Sequence, residues 1–487
     1  MPRHFRDGQI CLTMSKIRGM RGILAPSIGA TCAAALALSL APPATAAAAR
    51  PAPTAEAATR AAVAAEPDVP GSTQSLPLRS LTRERASGAV LGLTPRAVRN
   101  FSLLGVVWDD PAAELHGRVQ VRARSADTGT WSGWQDVETH NADHAADPGT
   151  AEDTSGRVRG ATAPLWVGPS DAVEVQVVAE SSQEAGDGAA GARAGGGDDG
   201  SLPSGLRLEL IDPGTADGAA DGTRTGAMSA EATAVSAAND GLAPLGATEI
   251  PALTREQTQR ELLTPGGTGA TGRAGAADPA EQQAQAYIGA RPAIVTRHGW
   301  GADESLREKT FKYTGKVKAA FVHHTATGNN YTCEQAPSVI RGIYRYHVGS
   351  MGWRDIGYNF LVDKCGKIYE GRAGGVAESV LGAHTLGFNS NTTGVAVIGS
   401  YSSKKPSAAA VEGVARLTAW KLGLHGMNPK GKTYLTSGGG NLYQKGMKVR
   451  LNVISGHRDG FNTACPGGEL YSKLGSARTT AAGYQGR

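Results

Sequence analysis

The chain has 487 residues, of which 19% are charged, 5% are aromatic and 66 are glycine, with a formal net charge of +5. Its length allows two or three domains, but so much glycine and so few aromatics exclude one continuous core along the whole chain. The charge is split, with 18 Lys+Arg against 32 Asp+Glu in residues 47–287 and 26 against 11 in residues 288–487, so the C-terminal part suits an anionic partner, either nucleic acid or an acidic polymer.

Residues 1–46 read as an export signal. Arg3, Arg6, Lys16, Arg18 and Arg21 precede an apolar run from about Ile23 to Leu40, and Ala44-Thr45-Ala46 is a small-x-small cleavage site. No later stretch is apolar enough to cross a bilayer, so stable membrane insertion is not expected. The Ala/Pro-rich residues 47–76 are expected to be disordered.

Residues 77–212 carry short alternating runs at Phe101–Trp108, Gly117–Arg124, Ala172–Val178 and Leu206–Ile211. That period of two predicts half-buried strands, and the loops between them predict a small antiparallel β-sandwich. Trp131 and Trp134 suit a platform for sugar rings or, more simply, core residues and plugs of the sandwich. Nothing in this domain reads as catalytic. Residues 213–287 read as a low-complexity linker. Within it, an apolar cluster around Ile250–Leu263 suits a short helix, and Pro279–Ile288 a second one.

Residues 288–487 alternate strands with helices, which predicts an α/β fold: a mixed sheet flanked by helices. The expected strands are Val317–His323, Tyr358–Val362, Lys367–Glu370, Val395–Gly399 and Leu451–Ile454. The expected helices cover 336–348 and Ser407–Gly423, the latter with Ser407 as N-cap. Leu470–Leu474 suits a final helical turn.

Two stretches of this domain carry chemistry. The first strand ends in His323-His324, and near the C-terminus His457 and Cys465 stand eight apart with Thr463 between them. Imidazole nitrogen and thiolate sulfur suit Zn²⁺, and three protein ligands leave a fourth position for water. Side chains alternate along a strand, so only one of His323 and His324 faces the ion. Removal of the signal takes Cys11 and Cys32 and leaves Cys333, Cys365 and Cys465. An odd cysteine in an exported chain needs a reason, and metal binding supplies one for Cys465 if the other two pair. Glu370 reads as a strand-end partner and Asp459 as a turn residue.

The blocks Arg297–Ala302, Val322–Ala326, Asp355–Val362, Ile368–Arg372, Gly382–Thr385, Gly394–Tyr401 and Gly456–Asp459 leading to Cys465-Pro466-Gly467 stand in an order that resembles the peptidoglycan recognition proteins and type 2 N-acetylmuramoyl-L-alanine amidases. The resemblance covers roughly the last two fifths of the chain. It implies one zinc ion held by His323, His457 and Cys465, with Tyr358 and Thr463 as catalytic hydrogen-bond donors. It also implies a Cys333–Cys365 disulfide. His384 is a candidate substrate contact or a support of the Gly-Ala-His-Thr turn. The implied reaction is hydrolysis of the lactyl–L-alanine amide of peptidoglycan by a zinc-activated water.

Three other readings stand beside it. A non-catalytic peptidoglycan receptor uses the same fold, usually with the cysteine replaced; here Cys465 and Tyr358 are both present. A cysteine hydrolase built on Cys465 and His457 lacks an apparent activating helix N-terminus and has Pro466 directly after the thiol. A purely structural zinc needs a fourth protein ligand, and the motif set contains none with a clear claim. The expected protein is therefore a secreted, cell-wall-associated monomer that engages peptidoglycan, with anionic wall polymers as candidate further partners and nucleic acid not expected. The acidic N-terminal region is a candidate anchor, inhibitor or spacer for the basic domain.

Overall fold

The computed structural model describes residues 71–81, 90–139, 141–180, 202–214, 228–263 and 287–487. The expected export signal and most of the helix expected over 279–288 lie outside them. All described residues belong to one unit, Pro67–Arg487.

The N-terminal part is antiparallel β, as its alternation predicts. Its strands are β1 (Ser72–Pro77), β2 (Val90–Trp108), β3 (Gly117–Ser125), β4 (Gln135–Val137), β5 (Leu165–Ala179) and β6 (Arg207–Asp212), hydrogen-bonded in the order β1-β6-β2-β5-β3-β4. On β3, Gly117, Val119, Val121 and Ala123 are buried while the residues between them are not. The long β2 and β5 shift register near Arg96 and Phe101, and such irregularities bend a strand. Here they bring Leu93, Phe101, Leu104, Val121, Val175 and Leu208 into one core. Strand β1 starts at Ser72, inside the stretch expected to be disordered.

The second sheet carries the ordered sequence blocks. Its strands are β7 (Glu249–Ile250), β8 (Ile294–Val295), β9 (Ala319–His324), β10 (Phe360–Val362), β11 (Ile368–Glu370), β12 (Thr392–Val397) and β15 (Ile454–Gly456). Their order is β15-β9-β12-β10-β11-β8-β7, with parallel pairing through the centre and antiparallel pairing at β10/β11 and β8/β7. Strands β13 (Lys432–Thr436) and β14 (Lys448–Asn452) form a separate hairpin.

The helices are α1 (Ala230–Ala237), α2 (Arg255–Leu263), α3 (Arg297–Trp300), α4 (Ala336–Arg345), α5 (Ala408–Gly423), α6 (Gly468–Tyr471) and α7 (Leu474–Gln485). Ser407 caps α5 by accepting the amide of Ala410 at 3.0 Å. One sheet face, with Ala320, Val322, Phe360 and Val395, packs on Val414 and Leu417 of α5. Cys333 and Cys365 form a disulfide.

Two features depart from the expected linker. Residues 228–263 belong to the C-terminal fold: Ile250 pairs with Ile294, and Asn239 after α1 donates to the Glu370 carboxylate at 3.0 and 3.2 Å. Composition hides this, because two-residue strands and an Ala-rich helix carry no strong period. The β domain also docks directly on α4, which widens into a π-helical turn over Tyr346–Ser350. Leu103, Val107, Trp166 and Ile211 share a core with Val339, Ile340, Ile343 and Tyr346. Gly105 allows the closest approach, since a Cβ there would lie 2.3 Å from the Tyr346 hydroxyl oxygen. That hydroxyl donates to the Thr162 carbonyl at 3.1 Å.

Candidate metal centre

Alternation along β9 settles which histidine of the pair enters the site. His323 shares a face with Ala319 and Phe321, whereas His324 lies on the α5 side with Ala320 and Val322. The Nδ1 of His324 instead accepts the Tyr401 amide at 3.2 Å. Strand β15 delivers His457 into a single 3-10 turn, His457–Asp459. Asp459 holds that turn by accepting the Gly456 amide at 2.9 Å and the Tyr471 hydroxyl at 2.6 Å. The Arg458 amide donates to the Cys465 carbonyl at 3.1 Å, which closes the loop between His457 and Cys465.

The three expected ligands converge, and a fourth residue joins them. Ligand atoms of His144, His323, His457 and Cys465 all lie within 4.8 Å of one another, and all four residues are buried. The Cys465 Sγ is 3.6 Å from His144 Nε2 and 3.8 Å from His323 Nδ1. Sulfur and nitrogen on a tetrahedron around one zinc ion would stand about 3.6 Å apart. Both ring nitrogens of His457 lack a hydrogen-bond partner although the ring is fully buried. Orphaned buried nitrogens of this kind are costly, and a cation at the site would satisfy one of them.

The electrostatics agree with a metal site. Burial, then the neighbouring imidazoles, hold His323 well below the usual histidine range. Burial likewise pushes His457 down to about 3, with Asp143 opposing the shift. Burial pushes the Cys465 thiol well above its ordinary value. A thiol pushed up by burial is a poor nucleophile, which counts against a cysteine hydrolase. His323, His457 and Cys465 are a good donor set for a cation, which would displace the thiol proton on binding.

The surrounding residues fall into two groups. The Nε2 of His323 lies 3.3 Å from His384 Nδ1 and 3.4 Å from Thr385 Oγ1. His384 is fully buried, with its Nε2 3.4 Å from Thr392 Oγ1. It thus lies behind His323, on its Nε2 side. Tyr358 is buried, with its ring 5.6 Å from that of His323 and 5.8 Å from that of His144. Thr463 accepts the Cys465 amide at 3.1 Å and its hydroxyl also faces the Asp143 carboxylate.

Glu370 ends β11 and binds the Arg297 amide as well as Asn239. Burial raises its carboxyl to about 7. In the β domain, Trp108 and Trp166 are buried, Trp134 is exposed, and the Arg122 guanidinium lies 5.3 Å from the rings of both Trp131 and Trp134.

His144 and its neighbour Asp143 come from the β domain, in which the sequence shows nothing catalytic. They lie in a strap, residues 141–159, between β4 and the short Gly160–Ala161 pairing with β2. No spacing or period ties them to Cys465. The one local signal is an Asp-His pair within a run of Ala, Asp and Gly. A fourth candidate ligand, which the motif set lacks, thus stands in the site from outside it.

Residues 313–468 match the family model for N-acetylmuramoyl-L-alanine amidase, and residues 53–195 match the Rv3811 N-terminal galactose-binding domain-like model. Peptidoglycan-recognition protein SC2 of Drosophila simulans is 30% identical over 193 residues, which are 39% of this chain and 88% of that protein. The chain belongs to the peptidoglycan-recognition protein and N-acetylmuramoyl-L-alanine amidase family. The human N-acetylmuramoyl-L-alanine amidase is 31% identical over 210 residues, 41% of this chain and 30% of that protein. Among solved structures, peptidoglycan recognition protein LE in complex with tracheal cytotoxin aligns at 26% identity with a TM-score of 0.30, covering 38% of this chain and 92% of that one. Within this family member, the strap falls in the region of the N-terminal match and the three expected ligands fall in the amidase match.

Proposed function

We propose that this protein is a secreted, zinc-dependent N-acetylmuramoyl-L-alanine amidase that hydrolyses the lactyl–L-alanine amide of peptidoglycan. The observation that carries the reading is the convergence of His323, His457 and Cys465, with Tyr358 against them, in a chain of this family. A bound zinc ion supplies Lewis acidity, lowering the pKa of a coordinated water toward about 7 and polarising the amide carbonyl. The protein's own residues do the rest. His384 and Thr385 hold the Nε2 side of His323 and so aim its Nδ1 at the metal position. The hydroxyls of Tyr358 and Thr463 donate to the oxyanion that forms as the amide carbon becomes tetrahedral. Cleavage leaves a carboxylate on the muramic acid and a free amine on the alanine. The excess of basic residues in 288–487 favours residence on the anionic wall.

A second reading, a peptidoglycan receptor without activity, draws on one observation: His144 completes a set of four, and sites closed by four protein ligands are structural. The experiment uses zinc-loaded full-length protein, its His144→Ala variant and the His144→Ala/Cys465→Ser double variant on purified peptidoglycan, with released stem peptides identified by mass spectrometry. Peptides with a new alanine amine from His144→Ala, absent with chelator or in the double variant, support the amidase. Zinc-loaded proteins that all bind peptidoglycan and release nothing favour the receptor.

A further inference from the structure

We infer that the strap, residues 141–159, is an intramolecular plug: His144 takes the metal position that an amidase needs for water, and the strap closes the face by which a muropeptide would enter. The inference rests on the amidase reading for its consequence, but not for its geometry.

The first observation is the position of His144. Its Nε2 points at the Cys465 sulfur from 3.6 Å, and its ring lies 4.5 Å from that of His457 and 5.2 Å from that of His323. The opposite nitrogen, Nδ1, is 3.1 Å from the Asp143 carboxylate. A carboxylate on the far nitrogen is how metal-binding histidines are usually oriented. The other oxygen of Asp143 stands 3.6 Å from His457 Nδ1, so one side chain of the strap addresses two of the four ligands.

The second observation is how the strap is anchored on either side of the site. Toward the Gly-Ala-His-Thr turn, the Asp147 carboxylate accepts the Gly387 amide at 2.9 Å and the Asn389 side-chain amide at 2.7 Å. The Asp143 carbonyl accepts the Leu386 amide at 3.0 Å. Toward the π-helical turn, Glu152 forms a two-pronged ion pair with Arg372 at 2.9 and 3.0 Å, with both side chains buried. Glu152 also accepts the Arg354 amide at 3.1 Å, and the Arg159 amide donates to the Met351 carbonyl at 3.1 Å. Gly352, at φ +77°, lets the Arg157 carbonyl pass where a Cβ would lie 2.0 Å away.

The third observation is what remains open. The cavity beside His144, Thr463 and Cys465 holds about 10 Å³, room for no more than one water. Tyr358 is buried and the half-buried Thr463 faces Asp143, so neither proposed oxyanion donor is free. A pentapeptide stem on a sugar cannot reach the metal position while the strap is seated. The docked state is therefore latent, and activity requires the strap to leave.

The test uses full-length protein loaded with Co²⁺, whose visible spectrum reports coordination, and azide as a small probe ligand. Wild type should give a four-coordinate spectrum that azide leaves unchanged. His144→Ala should give an altered spectrum that azide shifts further. Asp147→Ala, which loosens an anchor and touches no ligand, should show azide sensitivity between the two. With zinc, peptide release should rise about tenfold or more in both variants, as a closed state gives way to an open one. Superimposable cobalt spectra of wild type and His144→Ala, or equal azide sensitivity, would overturn the role of His144. Equal peptide release by wild type and both variants would overturn latency. If no variant cleaves but the spectra separate as expected, the fourth-ligand assignment stands and it is the amidase reading that fails.

Discussion

Glu152→Ala removes the carboxylate that reaches from the β domain to Arg372 and leaves a guanidinium buried without its charged partner. The pair is two-pronged and its side chains are only 8% and 7% exposed. The carboxyl of Glu152 is strongly desolvated, yet Arg372 and the Arg354 amide hold it below the usual range. Breaking one side of such a pair costs about 3–5 kcal/mol. Arg372 keeps a hydrogen bond to the Ile356 carbonyl at 2.9 Å and a longer one to the Leu381 carbonyl at 3.3 Å, so the lower end, about 3 kcal/mol, is expected. Glu152→Gln retains an acceptor and should cost less, about 1–2 kcal/mol. Replacing Arg372 by Met in the Glu152→Ala background removes the stranded charge and should restore part of the loss. The assay is urea unfolding of metal-free protein, with hydrogen exchange across 141–159 to locate the effect. Stability of Glu152→Ala within about 0.5 kcal/mol of wild type, with unchanged exchange in the strap, would refute the claim that this pair anchors it.

Four further outcomes are expected. Zinc should raise the denaturation midpoint of the metal-free protein, by about 2.7 kcal/mol of stability at a hundredfold excess over Kd, and Cys465→Ser should lose most of that gain. Tyr358→Phe in the His144→Ala background should lower turnover about 10²–10³-fold without loss of cobalt binding; unchanged turnover would remove Tyr358 from the mechanism. Glu370, raised by burial from the ordinary 4.5 to about 7, binds its proton more tightly folded than unfolded. Its contribution is thus complete below about pH 4.5 and is lost as pH rises through 7. The loss is on the order of 3 kcal/mol, and Glu370→Gln should flatten the stability profile between about pH 5 and 7. Replacing Cys333 and Cys365 by Ser opens a closed loop of 32 residues and should cost about 3–4 kcal/mol on the chain-entropy account, read by urea unfolding.

Much of the C-terminal domain is legible in its residues alone. Ser407 signals its helix by capping chemistry, and Phe360–Val362 and Ile368–Glu370 pair as the turn between them predicts. His323 and His457 announce themselves because each sits at or just after a strand, and Cys465 because it follows His457 within one short block, so their residue types and local spacing already carry the chemistry. Strand alternation says that only one of His323 and His324 faces the ion, and the family resemblance picks His323.

What the tertiary structure decided depends on contacts between segments far apart in the chain. Ile250 finds Ile294 through two-residue strands too short to leave a period. His384 stands behind a ligand because β12 lies beside β9. His144 enters the metal centre because the β domain docks on α4 through a shared core, with Gly105 against Tyr346, and that docking fixes where the strap must lie. A local pattern can specify a strand, a cap or a ligand at a strand end. It cannot specify which loop of another domain will cover that ligand, because that is settled by the packing of two surfaces.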